Sequence, residues 1–208
     1  MRRWSILLTL LAIGAAPPGM PERPLIVALG DSLTAGYGLD LGLGVALQLQ
    51  AALRRHGIKA TVIDGGVSGD TSSGGRQRLD WTLASAGAKP ALVIVELGAN
   101  DMLRGIDPAI TRGNIDAILG ELKRREIKVI LAGMRAAPNL DPAYVAKFEA
   151  IYPELAAKHG VALYPFFLDG VAGQRGMMQA DGMHPTFAGV KRIVTGMMPA
   201  VKRALGSR

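Results

Sequence analysis

Residues 25–30 read Leu-Ile-Val-Ala-Leu-Gly, an unbroken apolar run that ends at a glycine. A continuous run of this length, in place of an alternating one, is typical of a strand buried on both faces of a parallel sheet. The run 91–96, Ala-Leu-Val-Ile-Val-Glu, repeats the pattern and is the clearest strand of the chain. The two runs predict the centre of an α/β fold.

Shorter strands and amphipathic helices continue outward from these runs. We predict further strands at 60–63, 128–132 and 161–164, and helices at 45–56, 76–86, 107–125, 141–159 and 185–205. Asp107-Pro108 and Asp141-Pro142 are typical helix starts, because Asp caps free N–H groups and proline fits the first helical position. Pro199 is expected to kink or shorten the last helix.

Strand and helix alternate five times, which predicts a three-layer α/β/α sandwich around a five-stranded parallel sheet. Ligands bind beyond the carboxyl ends of the strands in such sheets. We therefore expect a functional site in the loops after strands one, two, three and five.

The composition excludes several classes of protein. The 208 residues include no cysteine, which rules out a thiol nucleophile, a cysteine zinc site and a disulfide scaffold. The net charge is +7, but aromatic residues make up only 5%, too few for a base-stacking surface, so no nucleic acid partner is expected. Many basic residues complement the dipoles of predicted helix C-termini, and a weak attraction to anionic membrane surfaces is the alternative. No obligate protein partner is expected.

The N-terminus has the pattern of a targeting segment. Met1-Arg2-Arg3 precedes an apolar run at 4–16 that is short for a membrane-spanning helix. We expect residues 1–20 to be a signal peptide and residues 21–208 to form one domain, exported to the periplasm or secreted. A retained N-terminal membrane anchor is the alternative.

Three of the expected loops carry polar residues directly after a strand. Ser32, within Gly-Asp-Ser-Leu-Thr at 30–34, is a candidate nucleophile or a simple turn cap. The glycine-rich segment 64–71 can direct backbone N–H groups at an anion, or be a flexible turn. Asn100 can donate its side-chain amide to a developing oxyanion, or form an Asx turn.

The fourth feature is Asp181-Gly-Met-His-Pro at 181–185. An aspartate near a histidine can hold the imidazole in one tautomer, which leaves the other ring nitrogen free to activate Ser32. A satisfied turn or half of a metal site is the alternative. The remaining histidines, His56 and His159, each precede a glycine at a predicted helix end, so we expect them to be structural and expect no metal site.

Four segments together resemble a known family. Gly-Asp-Ser-Leu at 30–33, Ser-Gly-Asp-Thr at 68–71, Gly-Ala-Asn-Asp at 98–101 and Asp-Gly-Met-His-Pro at 181–185 are similar to the four blocks of the GDSL/SGNH hydrolases. The subgroup most similar to the chain is that of bacterial secreted arylesterases and multifunctional thioesterase/lysophospholipases. The resemblance spans residues 25–205.

The resemblance implies a flavodoxin-like fold and a cofactor-free catalytic apparatus. Ser32 corresponds to the nucleophile, His184 to the general base and Asp181 to the residue that orients it. The oxyanion hole corresponds to the N–H groups of Ser32 and Gly69 with the Asn100 side chain. Ala99 and Asp64 depart from the usual Gly and Asn, which leaves the chemistry intact but alters the expected shape of the acyl pocket.

We expect the protein to be a serine esterase that hydrolyses aryl or short to medium acyl esters through a Ser32-acyl intermediate. Its substrates are expected to extend to acyl thioesters or lysophospholipids. Polysaccharide O-deacetylation by the same loops is the alternative, and an inactive binding module is a remote one. The residues expected to line the acyl pocket are Leu103, Ile106, Pro138, Leu140 and Met183.

Overall fold

Each strand of the sheet runs parallel to its neighbours in the computed structural model, which describes residues 23–206. The strands are β1 (Leu25–Gly30), β2 (Thr61–Gly66), β3 (Leu92–Glu96), β4 (Lys128–Ala132) and β5 (Ala162–Tyr164). Their spatial order is β2-β1-β3-β4-β5, which is the flavodoxin-like order. The expected α/β class and five-stranded parallel sheet are confirmed.

The helices are α1 (Ser32–Ala35), α2 (Val45–Arg55), α3 (Ser72–Gln77), α4 (Leu79–Ser85), α5 (Ala99–Leu103), α6 (Pro108–Arg124), α7 (Pro142–His159) and α8 (Phe187–Ala204). Two helix pairs, α2 with α8 and α6 with α7, pack side by side. Asp107 and Asp141 cap α6 and α7 through their side chains, as the Asp-Pro pairs predict.

The order of the strands determines where a ligand site forms. The chain leaves β1 toward β2 on one side and returns to β3 on the other, so the connections after β1 and β3 diverge. Open α/β sheets bind ligands at such a switch point, because the diverging loops leave a crevice there. Ser32 lies two residues after β1, and Asn100 lies four residues after β3.

The central strands are apolar because both of their faces are covered. All five residues of β3 are buried, and so are the last five residues of β1. This burial is the physical reason for the continuous apolar runs in place of alternation. Such a core holds the strand ends, and hence the loops that follow them, in fixed positions.

Some local predictions are wrong. One helix was expected at 76–86, but the structure has α3 and α4, and α3 begins at Ser72 under a Thr71 cap. Helix α3 contains Gly74 and Gly75, and the Asp70 carboxylate and the Leu97 side chain lie where a Cβ on these two residues would be.

Other differences concern element ends. β2 continues to Gly66, so residues 64–66 belong to the strand and not to the following loop. Helix α8 passes through Pro199 and continues to Ala204. Pro199 therefore does not shorten the helix, and buried residues on both sides of it, including Met198 and Val201, pack the helix against the core.

The expected signal peptide at residues 1–20 lies outside the described residues. Within residues 23–206, none of the helices combines the length and apolar character that crossing a bilayer requires.

Candidate active site

Ser32, His184 and Asp181 form one hydrogen-bonded chain. The Nε2 atom of His184 is 2.9 Å from the Ser32 Oγ, and its Nδ1 is 2.7 Å from Asp181 Oδ2. These are the contacts that a serine nucleophile, its base and a tautomer-holding carboxylate make. The structure thus brings together the three residues expected for a triad.

The Asp181 carboxylate is fixed by its own turn. Its Oδ1 accepts hydrogen bonds from the backbone N–H groups of Met183 and His184, at 2.9 and 3.0 Å. The hydrogen bonds from the His184 backbone and ring, followed by that from Met183, lower the pKa of Asp181 to about 2. The carboxylate is therefore ionised at neutral pH, and it holds the proton of the imidazole on Nδ1.

Ser32 is presented by a short, tightly capped turn. It is the first residue of α1, and the Asp31 side chain caps that helix by accepting the Leu33 N–H at 2.9 Å. Asp31 is fully buried, and burial is the main cause that raises its pKa to about 6. The Asp31 cap bonds Leu33 and not Ser32, whose backbone N–H at the start of α1 can therefore bind an anion.

Gly69 supplies a second backbone N–H at the site. Its φ of +83° lies in the left-handed region, which side chains other than glycine rarely adopt. The Arg104 guanidinium donates a 2.7 Å hydrogen bond to the Gly69 carbonyl and holds this turn. Within residues 23–206, the N–H groups of Ser32 and Gly69 donate to no acceptor of the protein.

Asn100 is more constrained than the sequence indicated. It lies in α5 and not in a loop, and its side-chain nitrogen donates to Asp31 Oδ2 at 3.0 Å and to the Asp70 carbonyl at 2.9 Å. Both amide hydrogens thus have an acceptor. Donation to an oxyanion therefore requires that one of these two bonds is shared.

Glu96 lies directly below the nucleophile turn. Its side chain is fully buried, and Oε2 accepts hydrogen bonds from Thr34 Oγ1 at 2.7 Å and from the Asp31 N–H at 3.3 Å. In the described part of the chain, Oε1 has no partner. Burial, and then the nearby Asp31 charge, raise the pKa of Glu96 well above its usual value, which favours the protonated form of this carboxyl group.

Arg78 connects two of the site loops. Its guanidinium donates to the Gly30 carbonyl at 2.7 Å and to Asp70 Oδ2 at 2.5 Å. The Asp70 carbonyl in turn accepts from Asn100, so one side chain ties the nucleophile turn to the loop that carries Gly69.

A cleft of about 750 Å³ opens beside the triad. Apolar side chains form most of its wall, and the loop after β4, which was not among the expected loops, supplies residues 134–138. Its lining includes the expected residues Leu103, Pro138 and Met183, together with Tyr37, Met178 and Phe166. Tyr37 lies against the His184 ring, with the two ring centroids 4.6 Å apart.

Two expected pocket residues do not line the cleft. The Ile106 carbonyl accepts a hydrogen bond from the Tyr144 hydroxyl, and Leu140 packs partly buried against the core. Ile106 lies in the loop after β3 and Leu140 in the loop after β4, and neither is among the residues that line the cleft.

Gln179 is a site residue that the sequence did not reveal. Its side-chain nitrogen donates to the carbonyls of Tyr37 and Pro185, at 2.7 and 2.9 Å. Its backbone N–H also donates to the His184 carbonyl at 2.7 Å. Gln179 thus holds the His184 turn against the Tyr37 loop, and no local pattern marks a glutamine for such a role.

The other histidines lie away from the site. His56 caps the C-terminus of α2, and His159 contacts Asp116 of α6 through Nε2 at 2.5 Å. His159 therefore joins two packed helices. Within residues 23–206, no three His, Asp or Glu side chains come together in a way that could hold a metal ion.

Comparison with known proteins places the chain among hydrolases. Residues 28–192 match the model of the GDSL-like lipase/acylhydrolase family. The chain is 42% identical over 180 residues to the esterase TesA of Pseudomonas aeruginosa, covering 86% of this chain and 89% of that protein. It is 39% identical over 160 residues to an arylesterase of Vibrio mimicus (77% and 79% covered). It is 37% identical over 160 residues to thioesterase 1/protease 1/lysophospholipase L1 of Escherichia coli K12 (77% and 74%).

Solved structures agree with this placement. The fold is similar to that of AlinE4, an SGNH-hydrolase family esterase, with a TM-score of 0.76, 50% identity and coverage of 90% of this chain and 99% of the other. It is also similar to the psychrotrophic esterase EstA from Pseudoalteromonas sp., described as inhibited by monoethylphosphonate, with a TM-score of 0.81, 30% identity and coverage of 88% and 99%.

Proposed function

This chain belongs to the GDSL-like lipase/acylhydrolase family, and from that premise we propose that Ser32, His184 and Asp181 are the catalytic triad of the esterase. The enzyme is a serine hydrolase that acts on ester bonds, as its named relatives are esterases, an arylesterase and a thioesterase/lysophospholipase. The single observation that carries the residue assignment is the hydrogen-bonded chain Asp181–His184–Ser32, with separations of 2.7 and 2.9 Å.

In the first step, the Ser32 Oγ attacks the ester carbonyl carbon while His184 Nε2 accepts the hydroxyl proton. The Asp181 carboxylate stabilises the imidazolium that forms, because it is ionised and bonded to Nδ1. His184 then protonates the departing alcohol, which leaves Ser32 acylated. Water attacks the acyl group by the same route and releases the acid.

Negative charge on the carbonyl oxygen is stabilised by donors from the three segments that follow β1, β2 and β3. The Ser32 and Gly69 N–H groups need no rearrangement, whereas Asn100 shares a hydrogen that already bonds Asp31 or Asp70. A preorganised donor of this kind typically lowers the barrier by about 3–4 kcal/mol. The raised pKa of Glu96 favours the same step, because a protonated carboxyl group below the turn does not repel the developing charge as a second carboxylate would.

The cleft favours aryl esters and short to medium acyl chains. Its wall is mainly apolar, and the flexible Met178 and Met183 side chains adapt to acyl groups of different shape. The substrate is a small ester or thioester, and the reaction uses no cofactor and no protein partner. We also propose that the chain is exported, on the basis of Met1-Arg2-Arg3 and the apolar run at 4–16.

An activity panel of aryl esters, acyl-CoA thioesters, lysophospholipids and acetylated sugars tests these assignments. We expect hydrolysis of short-chain aryl esters and its loss in Ser32→Ala, with covalent labelling of Ser32 by a fluorophosphonate. Ser68→Ala is the matched control, since Ser68 lines the same cleft without touching His184. Ester turnover by Ser32→Ala would disprove the nucleophile assignment, and a profile dominated by acetylated sugars would favour a deacetylase.

A further inference from the structure

A band of exposed cations runs along the edge of the sheet where the strands begin. Three shallow grooves adjoin there. The central groove shares Arg23 with the groove on one side of it, and it shares Lys128 and Ala204 with the groove on the other side. We name this surface the basic face; its exposed cations are Arg23, Arg54, Lys59, Lys89, Lys123 and Lys128.

Carboxylates are scarce on the basic face. In the part of the chain that the structure describes, Glu126 is the one acidic residue that lines these grooves, and it lies 3.6 Å from Lys89. The nearby Asp80 and Glu121 are held in ion pairs by Arg125. The face therefore presents a largely uncompensated positive charge.

Helix dipoles explain only part of this pattern. Arg54 and Lys123 lie in the last turns of α2 and α6, where cations are stabilised. Lys128 also serves a helix end, because its Nζ donates a 2.8 Å hydrogen bond to the Ala204 carbonyl at the C-terminus of α8. Lys59 and Lys89, in contrast, lie in the segments before β2 and β3 and outside any helix. A field of one sign favours an anionic partner.

We propose that the basic face docks the enzyme on an anionic phospholipid surface. The described chain begins at Arg23, within the basic face, so the segment that precedes it is attached to the domain at this face. Export, which Arg2, Arg3 and the apolar run at 4–16 indicate, favours a membrane surface and not a nucleic acid as the anionic partner. This inference assigns a surface to the weak membrane attraction considered for the sequence, and it rests on the proposed export but not on the esterase chemistry.

The proposed orientation leaves the active site accessible. The triad lies beyond the carboxyl ends of the strands, and the basic face lies at their amino ends. A strand of five residues separates the two edges by about 17 Å. A docked enzyme therefore directs its cleft away from the lipid, and we expect its turnover of a water-soluble ester to be the same with and without vesicles.

The test compares two triple charge reversals in the full chain. The face variant is Lys59→Glu/Lys89→Glu/Lys123→Glu, and the control is Lys147→Glu/Arg175→Glu/Lys191→Glu, three exposed cations outside the face. Both have the same net charge and identical residues 1–22. Co-sedimentation uses vesicles of phosphatidylcholine alone or with about 30% phosphatidylglycerol, in about 0.1 M salt, where distant charges are screened.

We expect wild type and control to bind the anionic vesicles, and the face variant to lose at least about 100-fold in partition coefficient. Binding to neutral vesicles reports the contribution of the N-terminal segment alone. Equal losses in both variants, no preference for anionic lipid, or tighter binding of a DNA duplex by the same face would each overturn the proposal. Turnover of a soluble ester by both variants verifies folding, and Ser32→Ala, expected to bind vesicles normally, separates docking from catalysis.

Discussion

The Asn100 side-chain amide donates a 3.0 Å hydrogen bond to the buried Asp31 carboxyl group, which lies next to the proposed nucleophile. This bond fixes the rotamer of the proposed oxyanion donor. In Asp31→Asn, the new amide NH₂ group must replace one of the two carboxylate oxygens. It then faces the N–H donor of Leu33 in one orientation and the amide donor of Asn100 in the other, so one hydrogen bond is lost in either case. We expect kcat to fall about 10–100-fold with little change in KM, because the lost interaction acts mainly in the transition state.

A double variant distinguishes this positioning role from a general structural one. If Asp31 acts through Asn100, Asp31→Asn/Asn100→Ala is no slower than Asn100→Ala, because coupled residues are not additive. Asp40→Asn, an exposed carboxyl group in the following loop, is the control and is expected to match the wild type. Additive losses in kcat would contradict the positioning role.

Asp181→Asn is expected to impair the base without removing it. The new amide N–H would face Nδ1 and favour the tautomer with a proton on Nε2, which cannot accept the Ser32 proton. The expected loss in kcat is about 10⁴-fold, the size seen when the corresponding aspartate of other triads is neutralised. The rate of fluorophosphonate labelling of Ser32 should fall in parallel.

Asp169→Asn serves as the control for this variant, because Asp169 is an exposed acid earlier in the same connection. Wild-type labelling rates in Asp181→Asn, with a correctly folded protein, would remove Asp181 from the triad.

Arg78 is expected to preserve the geometry of the oxyanion hole. Arg78→Met removes the bonds to the Gly30 carbonyl and to Asp70, so the two loops can shift relative to each other. Because displacements near 1 Å can cost about 100-fold in rate, we expect kcat to fall between about 10- and 100-fold. Inactivation by a phosphonate should slow to the same extent, and Arg78→Lys should recover part of both rates.

Arg76→Met is the matched control for Arg78, since Arg76 bonds Asn114 on α6 and does not contact the hole. Full kcat in Arg78→Met, or equal losses in both arginine variants, would argue against this assignment.

Glu96→Gln is expected to change the pH dependence of stability. A pKa raised above 4.5 means that the folded chain holds a proton that the unfolded chain releases. Wild-type stability is therefore favoured at low pH and is lost as the pH rises from the unfolded toward the folded pKa. Glutamine does not titrate. The free energy of unfolding of Glu96→Gln should therefore increase relative to that of the wild type by up to about 1.4 kcal/mol for each unit by which the pH is raised.

Urea unfolding at about pH 5.5 and about pH 7.5 measures this difference. Glu121→Gln is the control: hydrogen bonds from Arg124 and Arg125 lower the pKa of Glu121 to about 2, so it is ionised in both states over this range. An identical wild-type-to-variant difference at the two pH values would show that Glu96 is ionised in the folded protein.

The sequence predicts this fold well where the signals are local. The apolar runs of β1 and β3 and the Asp-Pro caps of α6 and α7 each specify their element without help from distant residues. Helix α5 was missed because it has five residues and no side-chain cap. Helix α3 was missed because its paired glycines serve packing against distant side chains, which no sequence window reveals.

The residues of the site likewise fall into those that a local motif reveals and those that only the folded structure reveals. The proposed triad residues stand in short motifs, so their chemistry is visible in the sequence. Arg78 and Gln179, in contrast, donate hydrogen bonds to backbone carbonyl groups that are 48 and 142 residues away in the sequence. Every residue has such a carbonyl group, so no residue type marks the partner. Their roles arise only when the chain folds. The engagement of both Asn100 hydrogens is likewise a tertiary property, because one acceptor follows β1 and the other follows β2.

Leu103 is expected to limit the length of the acyl chain. Its side chain lines the cleft and is 57% exposed, so Leu103→Trp narrows the cleft without disturbing the core. We expect the acyl-chain length that gives the highest activity in a p-nitrophenyl ester series to decrease. Turnover of the acetate ester should be retained, because only longer acyl chains need the part of the cleft that the tryptophan fills. Ile110→Trp is closely matched, since Ile110 is 56% exposed and lies on α6 outside the cleft. A shift in both variants would indicate a general effect of the added ring, and a shift in neither would place the acyl chain elsewhere.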